Sequence, residues 1–226
     1  MLVPGMSATL PDGVGQVRDA VEAALRAAAG QDADLTILVA AGAPAGAYAS
    51  AEANMRGFGR PDLARTYRTA SADGHAGPLP PGLAVLALLL DPATRLVLPL
   101  AVDPGSSAEG LEAVGAQLAS RPGRSVVIAA GDCSAGLDER SPRWRIDGAA
   151  AWDRQLVAAV AAGDRESLAM LGPEEAWRVV ALGWAPIVVA QAAIGGPFRV
   201  RSYSAPRGVG YLVAEAIAGS AEATDA

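Results

Sequence analysis

DLTILVAAG, residues 34–42, is an unbroken β-branched and aliphatic run that closes on Gly and Pro. It lacks the polar/apolar alternation of a half-exposed strand, so it reads as a strand buried on both faces. A strand of that kind belongs in a parallel sheet covered by helices. Two further runs, RLVLPLAVD (95–103) and RSVVIAA (124–130), also read as strands. Between them the period changes to that of helices: Val14, Val17, Val21, Leu25 and Ala28 share one face behind an Asp12 cap, and residues 107–120 and 148–163 follow the same pattern. LAVLALLLD (83–91) reads as helix because a better strand follows it at once, and Asp164 and Pro173 open two more helices. Glu174 and Glu175 fall in the first turn of the second of these, where the helix dipole favours them. Val179 to Ile194 reads as one buried helix, and FRVRSYSA and GVGYLVAEA as two closing strands joined at Pro206-Arg207-Gly208.

The expected fold is α/β, a three-layer α/β/α sandwich with a mostly parallel or mixed central sheet, the last hairpin supplying the antiparallel edge. The chain of 226 residues fits a single domain, 1–226, with no internal repeat. The long Gly/Pro/Ala-rich stretch between the first two strands reads as a connection, functional or partly disordered.

Composition removes whole classes of chemistry. All 18 basic residues are Arg, so Schiff-base, pyridoxal-phosphate and Walker-type mechanisms lack their amine. With one His, no site needing two imidazoles forms within one chain. The net charge of −6 and the scattered arginines speak against nucleic acid, the loosest clusters being Arg140, Arg143, Arg145 and Arg199, Arg201, Arg207. The longest apolar stretch is too short and too interrupted for a membrane span. The opening residues carry no secretory pattern, and a lone Cys133 suits a reducing compartment, so the expectation is a cytoplasmic protein.

In a parallel sheet, ligands sit at the carboxyl ends of the strands. SVVIAAGDCSAGL, Ser125 to Leu137, delivers Asp132, Cys133 and Ser134 to that place. Each has a structural and a chemical reading. Asp132 either holds the turn through backbone N–H groups or acts as a general base. Cys133 is an inert buried thiol or a nucleophile, and Ser134 needs a base that only His75 or a carboxylate could supply. His75, in ADGHAGP, is either a surface-loop residue or a catalytic or metal-binding group. Glu215, Tyr203, Tyr211 and Trp184 complete the candidates, with core packing as their alternative role.

Four pieces in order, the strand into AAGDCSAGL, WDRQLVAAVAAGDRESLAML with Trp152-Asp153, a long late helix, and SYSAPRGVGYLVAEA, resemble the class III extradiol ring-cleavage dioxygenase family. The branch is the subunit-B-like one, related to the protocatechuate 4,5-dioxygenase β subunit. MLVPG and GPLPPGLAVLALLLD extend the resemblance over the first half. The family holds Fe(II) with two His and one Glu, leaving positions for catechol and dioxygen, while a further His moves protons. The resemblance places the first His before Met1 and the second in AAGAPAGAY, which has no imidazole. Ala135 stands for the proton-transferring His, and Ala185 lies near the position of the Glu. The resemblance therefore implies a degenerate member with no cofactor that binds a small molecule or a partner subunit, and it implies a homodimer. Two other readings stand beside it: an active Fe(II) dioxygenase completed by residues upstream or from another subunit, and a metal-free hydrolase using Ser134 or Cys133.

Overall fold

Strand β1, Leu35–Ala41, is the centre of the architecture. Its side chains alternate between two cores: Leu35, Ile37 and Val39 face one, Leu38 and Ala40 the other. Both faces of the strand are therefore buried, as its unbroken apolar run requires. The computed structural model describes Val3 and residues 13–217. Parallel to β1 lie β5 (Val97–Val102) on one side and β6 (Ser125–Ala130) on the other, with Ile37 in register with Leu98 and Val127. The two-residue strand β2, Gly46–Ala47, adds antiparallel to β5, so the sheet order is β2-β5-β1-β6.

Helices cover both faces, giving the α/β fold. On one side α3 (Ala108–Ala119) and α7 (Trp184–Ile194) pack on the sheet through Leu111, Leu118, Trp184, Val188 and Val189. Gly115 of α3 allows this closeness, since a Cβ there would stand 3.0 Å from the backbone nitrogen of Ala193. Behind them lie α4 (Ala149–Ala162), α5 (Arg165–Met170) and α6 (Pro173–Arg178). On the other side α2 (Pro81–Leu89) packs Leu83, Leu86 and Ala87 against Leu38, Ala40 and Val97. Helix α1, Val14–Ala29, begins after Gly13, which has φ 80°. Asp12, the expected cap, lies outside the described residues. Local caps explain other boundaries: Ser107 Oγ accepts the Gly110 N–H at 3.2 Å, and Asp164 Oδ1 accepts the Ser167 N–H at 3.0 Å.

Three expectations need correction. The stretch between β1 and α2 is not a plain connection: β3 (Ala51–Met55) and β4 (Arg60–Tyr67) form an antiparallel hairpin against α2. Ala51, Ala53 and Met55 point inward and Glu52 outward, so burial alternates although the sequence is rich in residues that disfavour strands. The final strands β7 (Arg199–Ser204) and β8 (Tyr211–Glu215) make a separate two-stranded sheet, and the antiparallel edge of the central sheet is β2. The late helix starts at Trp184 rather than Val179. Val180 takes φ 56°, which ends the preceding turn, and Pro186 then falls in the first turn of α7, where its missing N–H costs nothing.

Candidate functional site

Residues 131–141 leave the carboxyl end of β6, and nearly every step of the path is tied to a distant segment. The Cys133 N–H donates to Gly210 O at 3.0 Å, and the Gly210 N–H returns to Ser134 O at 2.8 Å. Ala135 N–H reaches Val179 O at 3.1 Å, Leu137 N–H reaches Gly208 O at 3.0 Å, and Gly183 N–H reaches Asp132 O at 2.9 Å. The Ser141 hydroxyl also donates to Gly208 O, at 3.0 Å. What reads in sequence as a loop is therefore a short pairing between 133–137 and 208–210, closed from the other side by the turn before α7.

Asp153 of α4 anchors this pairing. It is fully buried, with Oδ1 accepting the Ser134 N–H at 2.9 Å and Oδ2 accepting the Tyr203 hydroxyl at 2.6 Å. A buried carboxylate held this way is stabilised by its donors rather than left as an isolated charge. Gly210 must be glycine here, because a Cβ would run into Asp153 Oδ2 and come within 2.9 Å of Cys133 Cβ. Burial, then the bond to Asp153, pushes the Tyr203 phenol far above its ordinary range.

The three candidates at the strand end differ sharply. Cys133 is 2 % exposed, and burial followed by the charge of Asp153 pushes its thiol far above the ordinary value, so no thiolate forms near neutral pH. Ser134 is fully buried; its hydroxyl has no hydrogen-bond partner among the described residues, and no imidazole approaches it. Asp132 is exposed as a residue, yet protein around its carboxyl desolvates it and raises its pKa. Its charge in turn, after burial, raises the pKa of Tyr211, which places these two groups near one another.

His75 lies elsewhere. It bridges Tyr48 next to β2, at the opposite edge of the sheet from β6. Two strands, β5 and β1, stand between the two edges, a separation of roughly 14 Å at about 4.8 Å per strand. No Ser134–His75 or Cys133–His75 pair exists. The His75 N–H donates to Ala47 O at 2.8 Å, its carbonyl accepts from the Ala49 N–H at 3.1 Å, and its ring Nε2 lies 2.8 Å from Ala45 O. Because a carbonyl only accepts, Nε2 carries the proton. The ring also sits against Tyr48, with centroids 5.3 Å apart. Around it opens a cleft of about 440 Å³, lined by Ala47, Ala70, Ser71, Ala72, Asp73, Gly74 and His75. The size is that of a small-molecule site.

The remaining candidates take structural roles. Glu215 pairs with Arg199 at 2.7 Å and Arg201 at 2.6 Å, and Glu175 pairs with Arg178 at 2.6 Å. Trp184 is buried and donates its indole N–H to Leu168 O at 2.9 Å. Asp153, which organises the strand end, has no sequence signal beyond the Trp152-Asp153 pair. For the iron that the resemblance implies, the residues do not fit: Ala135 and Ala185 offer no ligand atom. Among the described residues no three His, Cys, Asp or Glu side chains group closely enough to hold a metal ion. Among those residues, too, no helix is long and apolar enough to cross a membrane. Compared with models of known protein families and with curated proteins, the chain matches none.

Proposed function

We propose that this chain is a small-molecule-binding protein of extradiol-dioxygenase-like architecture, working without the family's iron, and that its ligand enters the cleft at His75. The observation that carries this reading is the division between the two sites. Of the candidate side chains His75 lines the cleft, whereas Cys133 and Ser134 are buried in the pairing of 133–137 with 208–210. The cleft offers a hydroxyl from Ser71, a carboxylate from Asp73 and an imidazole, set among alanine and glycine. These groups suit a small polar ligand held by a few directed bonds. No hydrogen bond joins Ser71, Asp73 and His75 to one another, so the arrangement supports binding rather than nucleophilic catalysis.

The test is a ligand screen by thermal shift, catechols and other small polar compounds included, on the wild type, on His75→Ala and on Cys133→Ala/Ser134→Ala. Binding that is lost in His75→Ala and kept in the double variant supports the reading. Binding that survives His75→Ala but fails in the double variant overturns it. Oxygen uptake with a catechol and added Fe(II) would favour the iron-dependent alternative.

A further inference from the structure

We propose that the ligand of the His75 cleft is a primary amine, its ammonium group recognised by the Asp73 carboxylate and donating an N–H to Nδ1 of His75; this rests on the assignment of the ligand site to that cleft. One edge of the imidazole is already committed. Nε2 donates to Ala45 O at 2.8 Å, and a Cβ on Gly46 would stand 2.9 Å from Nε2 and 3.4 Å from Cδ2, so this edge is packed against backbone. Nδ1 is the ring atom opposite that edge. With the proton on Nε2, Nδ1 is a lone-pair acceptor, and it forms no hydrogen bond among the described residues. Asp73 is the second acceptor: it is exposed on the cleft, and its carboxylate makes no hydrogen bond or ion pair among the described residues.

Donors are scarce where these acceptors stand. The backbone N–H groups of Ala70, Ser71 and His75 are taken by Val97 O at 2.8 Å, the Thr69 hydroxyl at 3.1 Å and Ala47 O at 2.8 Å. No arginine lines the cleft, and the chain has no lysine. An anionic ligand would meet Asp73 with no cation to offset it, whereas a cation also gains from the net charge of −6. The walls separate one kind of amine from another. A quaternary ammonium has no N–H to give Nδ1 and is held best by aromatic faces, but the walls here are Ala47, Ala70, Ala72 and Gly74. A primary ammonium brings three N–H donors. The segment that carries both acceptors is fixed in place: a Cβ on Gly74 would stand 2.6 Å from Ala47 O and from Ala49 N, so residues 73–75 lie directly on 47–49. A site fixed before the ligand arrives loses less on binding.

Titration of the full chain at neutral pH, followed on the ring resonances of His75, tests the amine. 2-Phenylethylamine should move them at millimolar concentration, and its N,N,N-trimethyl derivative and 3-phenylpropanoate should each bind about fivefold more weakly or worse. Asp73→Asn, a change at an exposed side chain without partners, should raise the Kd of the amine about fivefold, and added salt should weaken binding to the wild type much more than to the variant. A carboxylate that binds as tightly as the amine, or an amine Kd that neither salt nor Asp73→Asn changes, overturns the amine and leaves the cleft as the ligand site. A trimethyl derivative that binds equally well overturns the donation to Nδ1. Ring resonances that none of these probes moves overturn the amine as well, whereas a screened ligand that binds without moving them overturns the cleft itself.

Discussion

Asp153 holds Ser134 and Tyr203 at once, accepting the backbone N–H of the first at 2.9 Å and the hydroxyl of the second at 2.6 Å. It joins α4 to the end of β6 and to β7, segments 19 and 50 residues away in sequence. Tyr203→Phe should cost on the order of 1–2 kcal/mol, and Asp153→Asn more, because an amide NH2 would face a donor at one end of the pair. Urea unfolding of both singles and the double gives the check. The double should cost clearly less than the sum, since both remove the same bond.

Cys133 makes the alkaline limb of stability steeper. Its folded thiol titrates far above the 9.0 usual for an unfolded one, so above that pH the unfolded chain loses a proton that the folded chain keeps. Stability from this group is whole below pH 9 and declines as the pH rises beyond it; Tyr203 acts in the same sense above 10.0. The urea midpoint of the wild type should fall more from pH 9.0 upward than that of Cys133→Ala. Equal slopes would mean that the thiol is not buried as described. Native Cys133 should also react with a thiol reagent only at the rate of unfolding.

Gly210 and Gly57 separate a glycine forced by packing from one that is not. Gly210→Ala drives a methyl into Asp153 Oδ2 and toward Cys133, so it should destabilise by about 2 kcal/mol or more. Gly57→Ala meets nothing within 4 Å and should stay within about 0.5 kcal/mol of the wild type. Thermal denaturation of the two variants makes the comparison. A Gly210→Ala variant as stable as the wild type would contradict the pairing of 133–137 with 208–210.

The central strands were legible because a strand covered on both faces is almost wholly apolar, as Leu35–Ala41 apart from Thr36 and Val97–Val102 are, and Val126 to Ala130 of β6 keep that character at half burial. The β3–β4 hairpin was not legible. Only alternate residues of AEANM are buried, and they are Ala and Met, while RPDLARTY carries proline and two arginines. Its strand character comes from packing against α2 rather than from propensity. The site was half legible. The chemistry-bearing types at the end of β6 stand where a parallel sheet places them, but their burial depends on Gly208, Gly210 and Tyr203, which reach them through the fold. Asp153 went unread for the same reason, and His75 looked like a loop residue because its bridge to Tyr48 spans 27 residues.

The most direct measurement follows the imidazole of His75, the single histidine of the chain and therefore one unambiguous signal in ¹⁵N-detected spectra. Titrated with a ligand that raises the melting temperature, its ring resonances should move in step with binding, by the same amount in the wild type and in Cys133→Ala/Ser134→Ala. A ligand that binds stoichiometrically and leaves the His75 ring unmoved would contradict the assignment of the site to this cleft.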